Sequence, residues 1–469
     1  MRKLNLSLFF FAISMLSVFG QDITGTWYGT LKDVQLHLVF HIEQTEDSLS
    51  ARMDSPDQHA FGIPVNTVNV EDNQLKMAIP LAGILYEGQV ISDSAIEGTF
   101  SQNGMKFPLN LSREAVVEEK KRPQEPHKPY PYHSEDVYFK NEAAGITLAG
   151  TFTYPKIGGK FPAVVLISGS GAQNRDEEAM GHKPFLVLSD YLTRNNIAVL
   201  RFDDRGTALS TGDFAAATTM DFAADAAAAV NYLRTRVEID KTKIGLIGHS
   251  EGGVIAPIIA SDDRDIAFIV LMAGTGLKGG DVLLSQQELI GRASGLDENT
   301  IERTIKMHRE IFEIIYKNDD AEQTKELLRT FLKQNMTDED FSTSSEITDR
   351  DLIVEKNLRQ LTMPWMLQFI KFDPKTVLEK VQCPVLAING EKDLQVSPKE
   401  NLSAIEAALK KGGNPSVTIA ELPNLNHLFQ TAETGTLSEY VTIEETISPE
   451  VLALIADWIN RSFGPKKYY

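Results

Sequence analysis

One short segment constrains the fold of this chain more than any other. Residues 243–253 read KIGLIGHSEGG, in which an apolar run, residues 244–247, ends at Gly248, and small residues follow Gly253. This pattern predicts a strand, a sharp turn and a helix, with Ser250 at the turn. A serine in so sharp a turn has a strained backbone, and glycines on either side of it avoid steric collisions. We therefore predict that Ser250 is a nucleophile. The alternative is a glycine-flanked turn whose serine has no catalytic role.

The sequence on both sides of this segment alternates between apolar strands and helices. Because such strands pair into a parallel sheet with both faces covered, we predict an α/β core formed by residues 136–279 and 381–469. Residues 280–380 are rich in Glu, Lys, Leu and Ile at helical spacing and are predicted to form a helical cap between the two parts. His308 lies among charged residues of this cap and is expected at its surface.

Three kinds of segment precede the α/β core. Residues 1–20 begin with Arg2 and Lys3 and continue with an apolar run, the pattern of a cleaved signal peptide. The run is too short for a strong membrane span, so we expect a periplasmic or secreted protein with no span after cleavage. Residues 21–113 contain short strands separated by turns, which predicts a small all-β domain of the lipocalin-like or barrel type. Residues 114–135 are rich in proline and charge and are predicted to be a linker.

The composition argues against several kinds of partner and site. The 469 residues include 46 basic and 65 acidic side chains, for a net charge of -19. Nucleic acids and anionic membranes bind basic surfaces, so neither is an expected partner. Cys383 is the single cysteine, which excludes a disulfide within the chain. His37 and His41 lie about 13 Å apart on a predicted strand at ~3.3 Å per residue. We expect neither a metal nor a cofactor.

An acid and a base follow the predicted nucleophile in the order expected for this strand–turn–helix arrangement. In a strand–turn–helix fold of this kind, the serine is followed along the chain by an Asp or Glu and then by a His. Asp393 and Glu391 both come after the predicted strand at residues 385–388, and we choose Asp393 because a loop of this length turns it inward. His427 follows the strand predicted at residues 416–420 and is the only histidine after Asp393. We predict that His427 is the base.

Hydrogen-bond donors for a negatively charged oxygen are expected in two places. The backbone N–H of Glu251, directly after the serine, is the first, and a loop after an early strand supplies the second. The glycine-rich segment 168–172 follows such a strand, and we choose Ser170 within it, with Gly171 close behind. A phosphate-binding loop is the rival interpretation, but no Gly-Lys-Ser/Thr follows. His249, next to the serine, is predicted to pack under the turn.

These segments together resemble a known superfamily. The matching stretches are GSGAQNRD at 169–176, FDDRG at 202–206, STG at 210–212, GHSEGG at 248–253, GEKD at 390–393 and Asn426-His427. From about residue 136 onward the chain looks like the α/β-hydrolase superfamily, and it resembles the esterase and serine-aminopeptidase-like branch of secreted bacterial members. Ser168 departs from the pattern, since many relatives have a histidine there. Arg205 is expected to hold the loops around the nucleophile.

The resemblance and the ordered residues imply a serine hydrolase that cleaves a small-molecule carboxylic ester. Ser250 would form an acyl-enzyme, His427 would transfer the proton, and Asp393 would orient His427. A serine peptidase or acyl-peptide hydrolase is an alternative, because amide cleavage uses the same groups. A non-catalytic binding protein on this scaffold is a third possibility. The apolar residues 363–369 of the cap are expected either to line the pocket or to form the cap's own core.

Overall fold

The computed structural model divides the chain into two compact units. It describes residues 22–31, 36–45, 48–56, 60–102, 105–114, 122–336 and 350–464. The predicted signal peptide, residues 1–20, lies outside the described residues. Described residues up to 114 form the first unit, and those from 122 onward form the second.

The first unit is one antiparallel sheet. Its strands are β1 (Gly25–Leu31), β2 (Leu36–Thr45), β3 (Ser48–Ser55), β4 (Ala60–Val65), β5 (Thr67–Glu71), β6 (Gln74–Ile79), β7 (Ile84–Ser92), β8 (Ala95–Gln102), β9 (Met105–Pro108) and β10 (Leu111–Ser112). They pair in the order β4-β3-β2-β1-β10-β8-β7-β6-β5, and β9 pairs with β8. Alternate residues of β2 point inward, so Phe40 is buried while His37 and His41 share the other face. The predicted small all-β domain is confirmed.

The second unit contains an eight-stranded sheet. Its strands are β11 (His133–Asn141), β12 (Ile146–Tyr154), β13 (Phe161–Ile167), β14 (Ala198–Phe202), β15 (Ile239–His249), β16 (Phe268–Met272), β17 (Val385–Gly390) and β18 (Val417–Leu422). The order is β11-β12-β14-β13-β15-β16-β17-β18. The first two strands are antiparallel to their neighbours, and β14, β13 and the strands up to β18 run parallel.

Helices cover both faces of this sheet. The helices of the second unit are α1 (Pro184–Arg194), α2 (Thr219–Thr235), α3 (Gly252–Asp262), α4 (Gly279–Ala293), α5 (Glu298–Lys317), α6 (Ala321–Asn335), α7 (Arg350–Leu361), α8 (Pro364–Lys371), α9 (Lys375–Leu378), α10 (Pro398–Lys411), α11 (Leu437–Thr442) and α12 (Pro449–Phe463). Helices α2, α3 and α10 pack with Val165 on one face, and α1 and α12 pack with Val164 on the other. This arrangement confirms the predicted α/β-hydrolase fold.

The insertion between β16 and β17 is helical, as predicted. Helices α4 to α9 lie within it, and its described residues contain no strand. An apolar cluster that includes Phe312, Leu328 and Leu358 forms its own core. The expectation that His308 lies at the surface is wrong, because its ring is half-buried on α5 and packs 6.1 Å from the ring of Phe312. None of the described helices is long and apolar enough to cross a membrane.

The end of the predicted linker lies against the second unit. The guanidinium of Arg122 donates hydrogen bonds to the backbone carbonyls of Met180, Gly181, Val441 and Ile443. The β11 strand then begins at residue 133, three residues before the predicted start of the core. Residues 122–132 are therefore attached to the second unit and do not form a free spacer.

Candidate active site

Ser250 stands at a sharp turn between β15 and α3. Its φ is 52°, in the left-handed region, and its N–H donates to the carbonyl of Met272 at 2.8 Å. A Cβ on Gly248 would lie 1.9 Å from the carbonyl oxygen of Gly252, and a Cβ on Gly252 would lie 2.1 Å from that of Ile167. Only glycine fits at either position, which is the physical reason for the pattern around the serine.

Asp393 and His427 form a buried pair. The Oδ2 atom of Asp393 lies 2.7 Å from Nδ1 of His427, and the two residues are 2% and 4% exposed. The other oxygen of Asp393 accepts the backbone N–H groups of Gln395 and Val396 at 2.8 and 2.9 Å. With both oxygens bound, the carboxylate holds the imidazole in one orientation and leaves Nε2 as its free nitrogen.

Glu391, the alternative acid, has a different place. Its Oε2 atom accepts the N–H of Asn424 at 2.9 Å, in the loop that leads to His427. The structure therefore brings Asp393 to the histidine and uses Glu391 to fasten the loop. The choice follows from the turn after β17, where the N–H of Asp393 donates to the carbonyl of Gly390.

Parallel pairing brings the serine and the acid–base pair to one edge of the sheet. His249 is paired with Met272, Met272 with Ile388, and Ile388 with Ala420, so the carboxyl ends of β15 to β18 meet. The ring of His427 lies 4.8 Å from that of His249, the neighbour of Ser250. Among the described residues no hydrogen bond joins the Ser250 hydroxyl to His427. Catalytic hydrogen bonds are often long in unliganded enzymes and shorten when substrate binds.

Three backbone N–H groups near Ser250 have no protein acceptor among the described residues. Within the described residues, neither the N–H of Ser170 nor that of Glu251 donates to another protein group. The same holds for Gly171, whereas the N–H of Gly169 donates to Glu177 at 2.7 Å. A Cβ built on Gly169 would lie 3.2 Å from the Cβ of Ser250, so this loop lies directly against the serine. The geometry leaves Ser170 and Gly171 as candidates for the second donor.

The loop at residues 168–172 is held by a buried carboxylate at its start. The hydroxyl of Ser168 donates to Oδ1 of Asp204 at 2.9 Å, and the N–H of Gln173 donates to Oδ2 at 2.9 Å. Burial raises the pKa of Asp204 to about 8. Ser168 thus fastens the loop to the turn that follows β14.

Arg205, in the next turn, holds a different element. It donates to both oxygens of Asp225 on α2, at 2.6 and 2.9 Å, and to the backbone carbonyl of Asp221. The guanidinium and the Asp225 carboxylate are 9% and 2% exposed, so the pair is shielded from water. Arg205 therefore fixes the loop after β14 to α2.

Glu177 is the residue near the site that sequence reasoning missed. It is 4% exposed, and its Oε1 atom accepts hydrogen bonds from the N–H of Gly169 and from His249. Asp176, Glu177 and Glu178 form an acidic run, which in sequence is typical of a solvated loop. No local signal distinguishes the buried member of such a run.

The cap reaches the site through Trp365. Its Nε1 atom donates to Oε1 of Glu251 at 2.7 Å, and the hydroxyl of Thr219 donates to the same oxygen at 2.6 Å. Burial raises the pKa of Glu251, and the two donors oppose this rise. Phe369, stacked on Trp365 at 5.0 Å, is itself buried, so the apolar segment both packs the cap and contacts the site.

Metal ligands are not grouped in the part of the chain that the structure describes. No set of three or more His, Cys, Asp or Glu side chains there is placed to hold an ion. Burial raises the pKa of the Cys383 thiol to about 11, so this half-buried residue is not a thiolate near neutral pH.

Several known proteins are similar to this chain. Esterase EstD from Thermotoga maritima is 25% identical over 314 residues, which are 66% of this chain and 65% of that protein. The chain thus spans about 65% of the length of the curated relative that it matches. The esterase Pf2001 of Pyrococcus furiosus has a TM-score of 0.42 and 15% identity over 71% of this chain and 94% of that one. The alpha/beta hydrolase GrgF from Penicillium sp. sh18 has a TM-score of 0.45 and 15% identity over 71% of this chain and 100% of that one.

A protein family also matches more than half of the chain. The family Serine aminopeptidase, S33 matches residues 183–433. This range contains Ser250, Asp393 and His427, the helical insertion and most of the parallel sheet. The chain, with its α/β-hydrolase fold, belongs to the Serine aminopeptidase, S33 family.

Proposed function

We propose that this protein is a serine hydrolase that cleaves carboxylic esters of small molecules. The observation that carries the proposal is the buried Asp393–His427 pair, at 2.7 Å, on the same sheet edge as the strained turn of Ser250. The relative from Thermotoga maritima, named an esterase, supports the choice of ester.

The proposed reaction has two steps, acylation of Ser250 and hydrolysis of the acyl-enzyme, and His427 acts in both. The Ser250 hydroxyl attacks the ester carbonyl while Nε2 of His427 takes its proton, and Asp393 stabilises the resulting imidazolium. The N–H groups of Glu251 and Ser170 hold the negatively charged oxygen of the tetrahedral intermediate. His427 then returns the proton to the departing alcohol, which leaves an acyl group on Ser250. Water, activated by His427, releases the acid and restores the serine.

Amide cleavage is a second candidate, because the same groups perform it and the family is named for an aminopeptidase. Comparing kcat/KM for p-nitrophenyl esters with kcat/KM for aminoacyl p-nitroanilides separates the two. We expect the esters to be the better substrates. Faster turnover of the anilides would make the protein a peptidase.

The nucleophile is tested by replacing one serine and a matched control. Ser250→Ala should lower kcat for p-nitrophenyl esters by about 10⁴-fold or more and abolish labelling by a fluorophosphonate. Ser438→Ala, which removes an exposed hydroxyl from α11, should leave both unchanged. Turnover by Ser250→Ala at the rate of the unaltered protein would refute the proposal. A failure of the fluorophosphonate to label Ser250 in the unaltered protein would also refute it and would favour a non-catalytic binding protein on this scaffold.

We also propose that residues 1–20 are removed as a signal peptide and that the enzyme works in the periplasm or outside the cell. The basic start and apolar run of this segment support the proposal. Mass spectrometry of the protein purified from its native compartment should find residue 21 at the N-terminus. An intact N-terminus in the cytoplasmic fraction would contradict it.

A further inference from the structure

His249 is buried with both ring nitrogens facing hydrogen-bond acceptors. Its Nδ1 atom lies 2.9 Å from Oε1 of Glu177, and its Nε2 atom lies 3.0 Å from the backbone oxygen of His427. His249 is 6% exposed and Glu177 is 4% exposed, so water does not replace either partner. A neutral imidazole carries one N–H, whereas an imidazolium carries two. The contacts are therefore all satisfied when the ring is doubly protonated.

The Glu177 carboxylate favours this state of the ring. Burial alone favours the neutral ring, but the nearby charge of Glu177 and the more distant one of Asp393 raise the pKa of His249. The other titratable group against the ring is His427, at 4.8 Å between ring centroids. The Oε1 atom of Glu177 also accepts the N–H of Gly169 at 2.7 Å, and this second donor stabilises a negative charge on that oxygen.

This pair joins the two loops that surround Ser250. Through Gly169, Glu177 holds the loop that presents the N–H of Ser170. Through His249, the same carboxylate holds the backbone of His427. One buried anion thus binds both the proposed oxyanion loop and the loop of the proposed base.

Glu177 is itself held firmly. Its φ is 50°, in the left-handed region, and the turn that follows is fastened on both sides. The ring of His182 forms hydrogen bonds with the hydroxyl of Thr446 and the carbonyl of Tyr440. Arg122 donates to the carbonyls of Met180 and Gly181. A carboxylate on so constrained a turn can position its partners within a narrow range.

We propose that His249 is an imidazolium paired with the Glu177 carboxylate, and that the pair positions the oxyanion and base loops for the ester hydrolysis proposed above. Because both residues are buried, the proposed role is exerted through the loops and not on the substrate. They are positioning residues, and their role rests on the proposed function, whereas the protonation of His249 does not.

The protonation state is tested by NMR on the full-length protein labelled with ¹⁵N-histidine. The chain has 9 histidines, and the spectrum of His249→Gln identifies the signals of residue 249. At pH 8, where an ordinary histidine with a pKa of ~6.5 is neutral, both ring nitrogens of His249 should carry protons. A bare nitrogen at either position at pH 8 would overturn the proposal: a bare Nδ1 would place the shared proton on Glu177, and a bare Nε2 would show a neutral ring beside the carbonyl of His427. This result stands whether or not Ser250 is the nucleophile.

The positioning role is tested by kinetics on Glu177→Gln and His249→Gln. Each should lower kcat for p-nitrophenyl esters by about 10- to 100-fold, with KM within about two-fold, since misplaced loops weaken the transition state more than substrate binding. Glu177→Gln should also remove the second ring proton of His249 at pH 8. The matched control is His41→Gln, which removes a histidine paired with Asp54 at 2.9 Å in the first unit and should keep full kcat.

Two outcomes would overturn the positioning role. One is an unchanged kcat in both variants. The other is an equal loss in His41→Gln, which would indicate a general effect of removing a paired histidine. If Ser250→Ala keeps its turnover, the proposed function fails instead, and the kinetics of the Glu177 and His249 variants then refer to another site. Circular dichroism confirms that each variant is folded before its rates are compared.

Discussion

Nε1 of Trp365 donates a hydrogen bond to Oε1 of Glu251 at 2.7 Å, which joins the cap to the residue directly after Ser250. Glu251 is 4% exposed, and Thr219 of α2 donates to the same oxygen. The backbone N–H of Glu251 is the one that we propose for the oxyanion. The cap therefore contacts the proposed oxyanion site through the indole of Trp365.

Replacing this indole tests the contact. Trp365→Phe keeps a ring that can stack on Phe369 but removes a donor to a buried carboxylate, a loss of about 1–3 kcal/mol. We expect a lower free energy of unfolding by that amount and a reduced kcat. Trp458→Phe is the matched control, because Trp458 is also half-buried but its Nε1 donates to Thr418 at 3.3 Å in a hydrogen bond that is exposed to water. Equal effects of the two substitutions in urea unfolding would contradict the prediction.

The choice of acid leads to a second prediction. Asp393→Asn should lower kcat by about 10⁴-fold, because the amide no longer holds His427 in the correct tautomer. Glu391→Gln should keep kcat within about three-fold, since Glu391 binds the N–H of Asn424 instead. Initial rates on a p-nitrophenyl ester decide between them. A larger loss in Glu391→Gln would assign the acid to Glu391.

The glycines around Ser250 give a prediction about stability. Gly252→Ala places a Cβ 2.1 Å from the backbone oxygen of Ile167, so backbone must shift. We expect a loss of about 3 kcal/mol or more in urea unfolding. Gly159→Ala should change stability by less than about 0.5 kcal/mol, because nothing lies within 4 Å of its added Cβ. A tolerated alanine at position 252 would show that the turn is less tightly packed than the structure indicates.

Because His308 is half-buried, we expect the free energy of unfolding to depend on pH. Burial lowers the pKa of this histidine in the folded cap, and a hydrogen bond with the backbone of Thr304 opposes the shift. The unfolded chain therefore takes up the proton first, near pH 6.5, and stability falls as the pH drops below that value. In urea unfolding between pH 7.5 and 5.5, His308→Gln should lose less stability than the unaltered protein. Equal slopes would mean that folding does not lower the pKa of His308.

Local pattern was sufficient to predict most of the sheet. The apolar runs at residues 162–167 and 385–388 coincide with β13 and β17. The β15 strand is longer than its apolar run, since it begins at residue 239 and includes polar residues that precede the run. The antiparallel pairing of β12 with β14 was not predictable, because pairing depends on contacts between distant segments.

Some residues of the candidate site could be predicted from local pattern, and others could not. Ser250, Asp393 and His427 each follow a strand whose position could be predicted from the sequence. Their order along the chain suggested their roles. The sequence does not separate Ser170 from Gly171, and among the described residues neither N–H donates to a protein group. Glu177 was missed because its partner His249 lies 72 residues along the chain and its burial has no local signature.

The sequence by itself determined the strand–turn–helix at Ser250, since the glycine requirement of a turn and the period of apolar residues are local properties. Only the tertiary structure decided that one carboxylate binds Gly169 and His249, and that His249 binds a carbonyl 178 residues away. Parallel pairing brings strand ends together irrespective of their separation in sequence. Hydrogen bonds among the loops at that edge depend on this spatial proximity.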